Sequence, residues 1–234
     1  MSEQEYSSSP QHANQQPAEQ QPQANPPELH HPPDHPVRRR LHYAFDVILG
    51  AGLAIGLGIL AVSLIFALQA SRMVTVSNNW IGLLDYGQPN ENALQRATDA
   101  YILPAAVPPE EAIYYYTTTD GNGKTLNSQN DYVIHFPAGQ LPPANAFWSI
   151  TISNPRGLMI ANTDDIYHVG SETGFATNED GSVDFYVQES RPEGRENNWL
   201  PAPDGDFKLW LRIYLPTQSV LDGQYQVPAV TEVN

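Results

Sequence analysis

The feature that most constrains this chain is a strict period-two alternation in its C-terminal half. Val183, Phe185 and Val187 alternate with Asp184, Tyr186 and Gln188 directly after an Asp180-Gly181 turn. Phe207, Leu209, Leu211, Ile213 and Leu215 alternate with Lys208, Trp210, Arg212 and Tyr214 after Asp204-Gly205. Successive side chains of a strand point to opposite faces, so each run predicts a half-buried strand preceded by a turn that admits positive φ. Aromatic and β-branched content predicts a strand over Ala112–Thr119, and the same alternation predicts one over Tyr132–Phe136. Another is expected over Phe147–Ile152, with Trp148, Ile150 and Ile152 on one face and Phe147, Ser149 and Thr151 on the other. Shorter strands are expected at Leu158–Ala161 and Tyr167–Val169. The predicted class is mainly β, an antiparallel β-sandwich with one or two short helices.

Upstream the pattern changes. Residues 1–40 are rich in Gln, Pro, Asn, Ser and His and offer almost nothing to bury, which predicts a disordered tail. Its His30, His31 and His35 are read as solvent-exposed histidines. Arg38-Arg39-Arg40 then precede an uncharged run of 22 residues, Val47–Leu68. As a helix this run rises about 33 Å, enough for a hydrocarbon core of about 30 Å. A single transmembrane helix within 41–70 is expected. Three arginines before it, against Arg72 alone just after, predict a cytoplasmic tail and a domain outside the cytoplasm. For a bacterial chain this means the inner membrane, with a periplasmic C-terminal domain. Gly52 and Gly56, four apart, suit helix-mediated self-association. Residues 71–106 read as a linker with a short helix over Ala93–Tyr101, capped by Asn90 or Asn92. Trp80 and Tyr86 belong either to the membrane interface or to the domain, and the sequence does not choose between them. The β region spans 107–234.

Charge and composition exclude some functions. A formal charge of -15 argues against nucleic acid, because phosphate binding needs basic clusters and only eight Lys and Arg lie beyond the apolar run. With no cysteine there are no disulfides, thiolate metal sites or cysteine nucleophiles. Asp164, Asp165 and His168 lie close in sequence, but Asp is favoured in turns for its own backbone geometry, so no metal and no cofactor is expected. His135 reads as a half-buried strand histidine, since only Asp131 lies near enough in sequence to orient it.

The motifs, in chain order, are Arg96-Ala97, Pro109-Glu110-Glu111-Ala112-Ile113-Tyr114, His135-Phe136-Pro137, Leu141-Pro142-Pro143, Phe147-Trp148-Ser149 and Asn162. They continue with Asp180-Gly181-Ser182, Asn198-Trp199-Leu200-Pro201-Ala202-Pro203, Phe207, Arg212-Ile213-Tyr214 and Pro228. In this the chain resembles the bacterial domain of unknown function family 1214. The resemblance implies a sandwich of jelly-roll type and no established general activity. Relatives often carry a second domain, numbered 1254; a tail and apolar helix stand in its place here. Two positions depart from the family pattern: Ser153-Asn154 replaces an aromatic followed by Asp or Asn, and Ile166 replaces an Arg.

Two functions remain open on the sequence. The first is a non-catalytic envelope module that binds a glycan or protein through Asp184, Tyr186, Gln188, Trp210, Arg212 and Tyr214, which alternation places opposite the core residues of two strands. The competing structural account is that a helix or the second sheet covers this face. The second function is a carboxylate-based hydrolase of envelope carbohydrate. No spacing singles out a carboxylate pair, and no nucleophile elbow, phosphate loop or zinc helix occurs. Catalytic residues are therefore unassigned, and a non-enzyme is expected. Trp199, beside a double-proline bend, is expected to be buried and structural.

Overall fold

The computed structural model describes residues 36–72, 75–103 and 107–233. The tail, with His30, His31 and His35, lies outside them. The chain divides into two units, with the boundary between Ile55 and Gly56 inside helix α1 (Pro36–Arg72). This helix runs past both ends of the apolar stretch. Its large apolar side chains, among them Leu49, Leu53, Leu57, Leu60 and Leu64, are exposed. Among the described residues it is the one helix long and apolar enough to cross a membrane.

The second unit continues with β1 (Thr75–Ser77), β2 (Trp80–Leu83), α2 (Ala93–Ile102), β3 (Ala112–Thr117), β4 (Asp131–Phe136), β5 (Trp148–Ser153) and β6 (His168–Gly170). It is completed by β7 (Val183–Gln188), a single 3-10 turn at Glu196–Asn198, β8 (Trp199–Pro201), β9 (Lys208–Tyr214), α3 (Gln218–Leu221) and β10 (Val230–Val233). One sheet has the order β1-β2-β3-β9-β5-β6 and the other β10-β4-β7-β8. The two face one another across a shared core. Phe136 and Phe185 of the smaller sheet meet Trp148 of the larger, with ring centroids 5.9 and 5.7 Å from it. Tyr132 meets Phe207 edge-on at 5.8 Å. The predicted inward sets Val183/Phe185/Val187 and Leu209/Leu211/Ile213 are all buried here.

Four local findings differ from the sequence expectation. Leu158–Ala161 forms no strand, because the Asn154 side chain accepts the N–H groups of Arg156 and Leu158 at 3.0 Å and holds the segment in a turn. β8 pairs with β7 in parallel, Tyr186 opposite Trp199, so the smaller sheet is mixed rather than antiparallel. Leu215 does not continue the inward row: its φ is 46° and its side chain is exposed. His135 is exposed rather than half-buried.

The Trp80 ambiguity is resolved in favour of the domain. Trp80 is only 1% exposed, and its indole N–H donates to the Pro228 carbonyl at 2.8 Å. Asn92 caps α2, accepting from Leu94 and Gln95, while the Gln95 side chain accepts from the Asn92 N–H in a full capping box.

Candidate functional site

The six residues singled out by alternation do point away from the core, but they occupy two outer faces. Asp184, Tyr186 and Gln188 lie on β7 in the four-stranded sheet, and Trp210, Arg212 and Tyr214 lie on β9 in the six-stranded sheet. On the β7 face the polar groups are engaged with one another. Asp184 Oδ1 lies 2.6 Å from His135 Nδ1, and its Oδ2 accepts from Asn178 Nδ2 at 2.8 Å. Asn178 in turn accepts from Arg195 at 2.8 Å. The Gln188 side chain donates to the Ser190 carbonyl at 2.7 Å, and its backbone carbonyl accepts the Trp199 indole N–H at 2.9 Å. Asn198 is fully buried, accepting from the Ala176 N–H and donating to the Ala176 and Asp184 carbonyls. Trp199 beside it is buried, with the Arg191 guanidinium 5.0 Å from its ring centroid. The Asn198–Pro203 motif thus clips β8 onto β7.

The β9 face is divided. At one end Leu83 and Tyr86 form a small cluster against which Ile102, Leu103, Tyr114, Tyr116 and Trp210 pack. Trp210 donates to Ser153 Oγ at 3.1 Å and lies against Tyr116 with centroids 5.2 Å apart. Lys208 reaches over both rings, and burial there lowers its pKa. At the other end Tyr214 stacks on Phe147 with centroids 4.2 Å apart.

Between these ends the sheet is open. β5 lies between β9 and β6, setting Arg212, Ser149 and Gly170 in one register row, with Thr151 and His168 in the next. Two residues with little or no side chain beside a long one leave a hollow, and a cavity of about 230 Å³ results, lined also by Phe147, Trp148, Met159 and Glu172. Gly170 is required here: a Cβ would sit 2.2 Å from the Trp148 carbonyl oxygen. Arg212 is half-buried and donates through Nη1 to Thr151 Oγ1 at 3.1 Å. Among the described residues no carboxylate lies within ion-pair distance of it. A guanidinium presents five donors in a rigid plane, so most of the fork faces the cavity unused.

A second polar cluster lies on α2 and the turn before it, where Glu91 and Asp99 are both buried. Asp99 Oδ2 accepts the Gly87 N–H at 2.6 Å, Glu91 Oε1 accepts the Gln88 N–H at 2.7 Å, and Arg96 donates to the Glu91 carbonyl. Burial, and a hydrogen bond to the Asp99 side chain, raise the Glu91 pKa. Asp99 Oδ1 is buried without a hydrogen-bond partner among the described residues. Two carboxyls in direct hydrogen-bonding contact are closer than the roughly 5 Å or more that separates the pair in a glycosidase.

From sequence, Arg212 was found, and Ser149 and Thr151 were assigned to the outward face of β5. His168 was weighed only as a metal ligand, and Glu172, Met159 and Gly170 were missed. Strand order brings them together, and no local pattern encodes it.

The fold and this hollow define a two-sheet β domain with an outer-face pocket, carried by a chain with one membrane-length helix. Residues 111–218 match the model of the family described as protein of unknown function (DUF1214), so the resemblance read from the motifs holds from β3 to the start of α3. The crystal structure of the VPA0106 protein from Vibrio parahaemolyticus is similar, at 30% identity and TM-score 0.53, over 62% of this chain and 36% of that one. This chain thus aligns with about a third of that protein. An uncharacterised protein from Burkholderia cenocepacia is similar at 19% identity and TM-score 0.39, over 53% of this chain and 30% of that one. Among curated proteins, none matches.

Proposed function

We propose that the chain is a single-pass inner-membrane protein that presents its β domain on the periplasmic side as a non-catalytic binding module, with the Arg212 cavity receiving the end group of an envelope glycan. The observation that carries this reading is Arg212 itself, half-buried in a concave site with Thr151 as its one side-chain partner. The surroundings suit a sugar. Ser149 and Thr151 supply hydroxyls, Glu172 supplies an acceptor at the rim, and the Phe147–Tyr214 stack offers an aromatic edge. The arginines at 38–40 support the orientation.

The test is oligosaccharide binding by the 234-residue chain in detergent, compared with Ser149→Trp. Ser149 is half-buried on the outward face, so a large ring there fills the hollow without entering the core. The expected result is saturable binding that the substitution abolishes at unchanged melting temperature. Glycan binding that persists in Ser149→Trp would remove the cavity from the proposal, and absence of binding to any envelope oligosaccharide would remove the glycan.

A further inference from the structure

We infer that the group reaching Arg212 is a carboxylate, so that the cavity selects an acidic sugar end group over a neutral one; this rests on the glycan reading above. Three observations converge on it. The first is the state of the arginine. The chain carries 26 Asp and Glu against 11 Lys and Arg, so a half-buried guanidinium without a carboxylate is not explained by any shortage of carboxylates. Arg191 is engaged with Asp164, Arg195 with Asn178 and Arg96 with the Glu91 carbonyl, while Arg156, whose guanidinium also lacks a partner among the described residues, is exposed to solvent. Arg212 has the Thr151 hydroxyl alone. A partly desolvated cation of this kind is complemented by a planar anion, and the carboxylate is the one whose two oxygens match the guanidinium fork.

The second observation is size. About 230 Å³ falls below the roughly 300 to 1,000 Å³ typical of sites that enclose a drug-sized ligand, so the hollow takes one ring or less. The ligand is thus read at an end or a branch. The third is the opposite wall. Glu172 and His168 line the same cavity. An acidic side chain so near disfavours a multiply charged anion such as phosphate by like-charge repulsion, yet accepts hydrogen bonds from hydroxyls. A monoanion bearing hydroxyl groups satisfies both walls at once: its carboxylate on Arg212, its hydroxyls toward Glu172, Ser149 and Thr151. A uronic acid has this composition.

The probes are methyl β-D-glucuronide, methyl β-D-glucoside, acetate and inorganic phosphate, titrated calorimetrically into the 234-residue chain in detergent. The glucuronide should bind at least about tenfold more tightly than the glucoside, the order expected for one charge-assisted hydrogen-bonded pair. Arg212→Met should erase that ratio, and Arg212→Lys should restore part of it, since an ammonium supplies charge without the fork. Equal affinity for the two glycosides, or a preference that survives Arg212→Met, would overturn the carboxylate assignment and leave the glycan reading intact. Phosphate or acetate competing as well as the glucuronide would also overturn it, because the site would then read charge and not an acidic sugar. Failure of both glycosides to bind would overturn the acidic-sugar assignment, while the oligosaccharide titration described above decides the glycan reading separately.

Discussion

The outer faces of the two sheets are built from the same sequence pattern and end in opposite states. On the four-stranded sheet, His135, Asp184, Asn178 and Arg195 form a continuous chain of contacts. On the six-stranded sheet, Arg212 keeps most of its donors free above a hollow, while the neighbouring Trp210 is held by Ser153, Tyr116 and Lys208. Alternation decides only that a residue leaves the core. Whether it is then spent on the fold or left available depends on which strand lies beside it, and the free group is the better marker of a site.

The largest test of this contrast is Trp199→Ala. Trp199 is 3% exposed and ties β8 to Gln188. Its truncation should cost about 3–5 kcal/mol, as for other buried aromatics. At roughly 2–4 °C per kcal/mol, the melting temperature should fall by about 6 °C or more, measured by thermal unfolding. A change within a degree would mean that the β7 face is not the structural one.

The next test acts on the buried carboxyls of α2 and the turn before it. The raised Glu91 pKa means that the folded state holds a proton which the unfolded chain releases near the ordinary glutamate value of about 4.3. This contribution is fully present below that value and is lost as pH rises through the raised folded value, since the native state then binds more protons than the unfolded one. Melting temperature, scanned upward from pH 4, should carry a declining component in the parent that Glu91→Gln abolishes, because the amide keeps a donor for Asp99 at every pH. An identical slope in both proteins would show that protonation of Glu91 does not stabilise the fold.

The smallest expected effects fall on His135 and Arg212. The His135–Asp184 pair is half-exposed on the histidine side, so His135→Ala should cost less than about 1 kcal/mol. Arg212→Met should change stability by no more than about 0.5 kcal/mol, as expected for a group that the fold does not use. Urea titration of both variants checks the pair; a large loss on Arg212→Met would place it among the structural residues.

Much of this molecule is legible in its sequence where side chains alternate over five or more residues. β4, β5, β7 and β9 occupy the predicted positions for that reason, and β3 does so through its run of Tyr and Thr. β1 and β10 span only 3 and 4 residues, too few for a period to register. β8 is buried at all three positions, Trp199, Leu200 and Pro201, so it shows no alternation, and its proline reads as a bend. The candidate site was half legible. Arg212 was visible as an outward residue, but Gly170 and His168 come from β6, whose place beside β5 is a matter of topology. His135 is exposed where the alternation implies half-burial, and its carboxylate partner Asp184 is invisible locally because it lies 49 residues away in sequence.

One consequence lies at the margins of the sheets. The outermost strands among the described residues are β1, β6, β8 and β10, each of 3 or 4 residues. β8 carries Pro201, and the Glu232 carboxylate of β10 is bound by Lys124. Strand-to-strand pairing between molecules needs a long, flat row of unpaired amides, and short margins interrupted by proline and charge deny it one. Even at high local concentration, copies of this domain would therefore meet without polymerising through these edges.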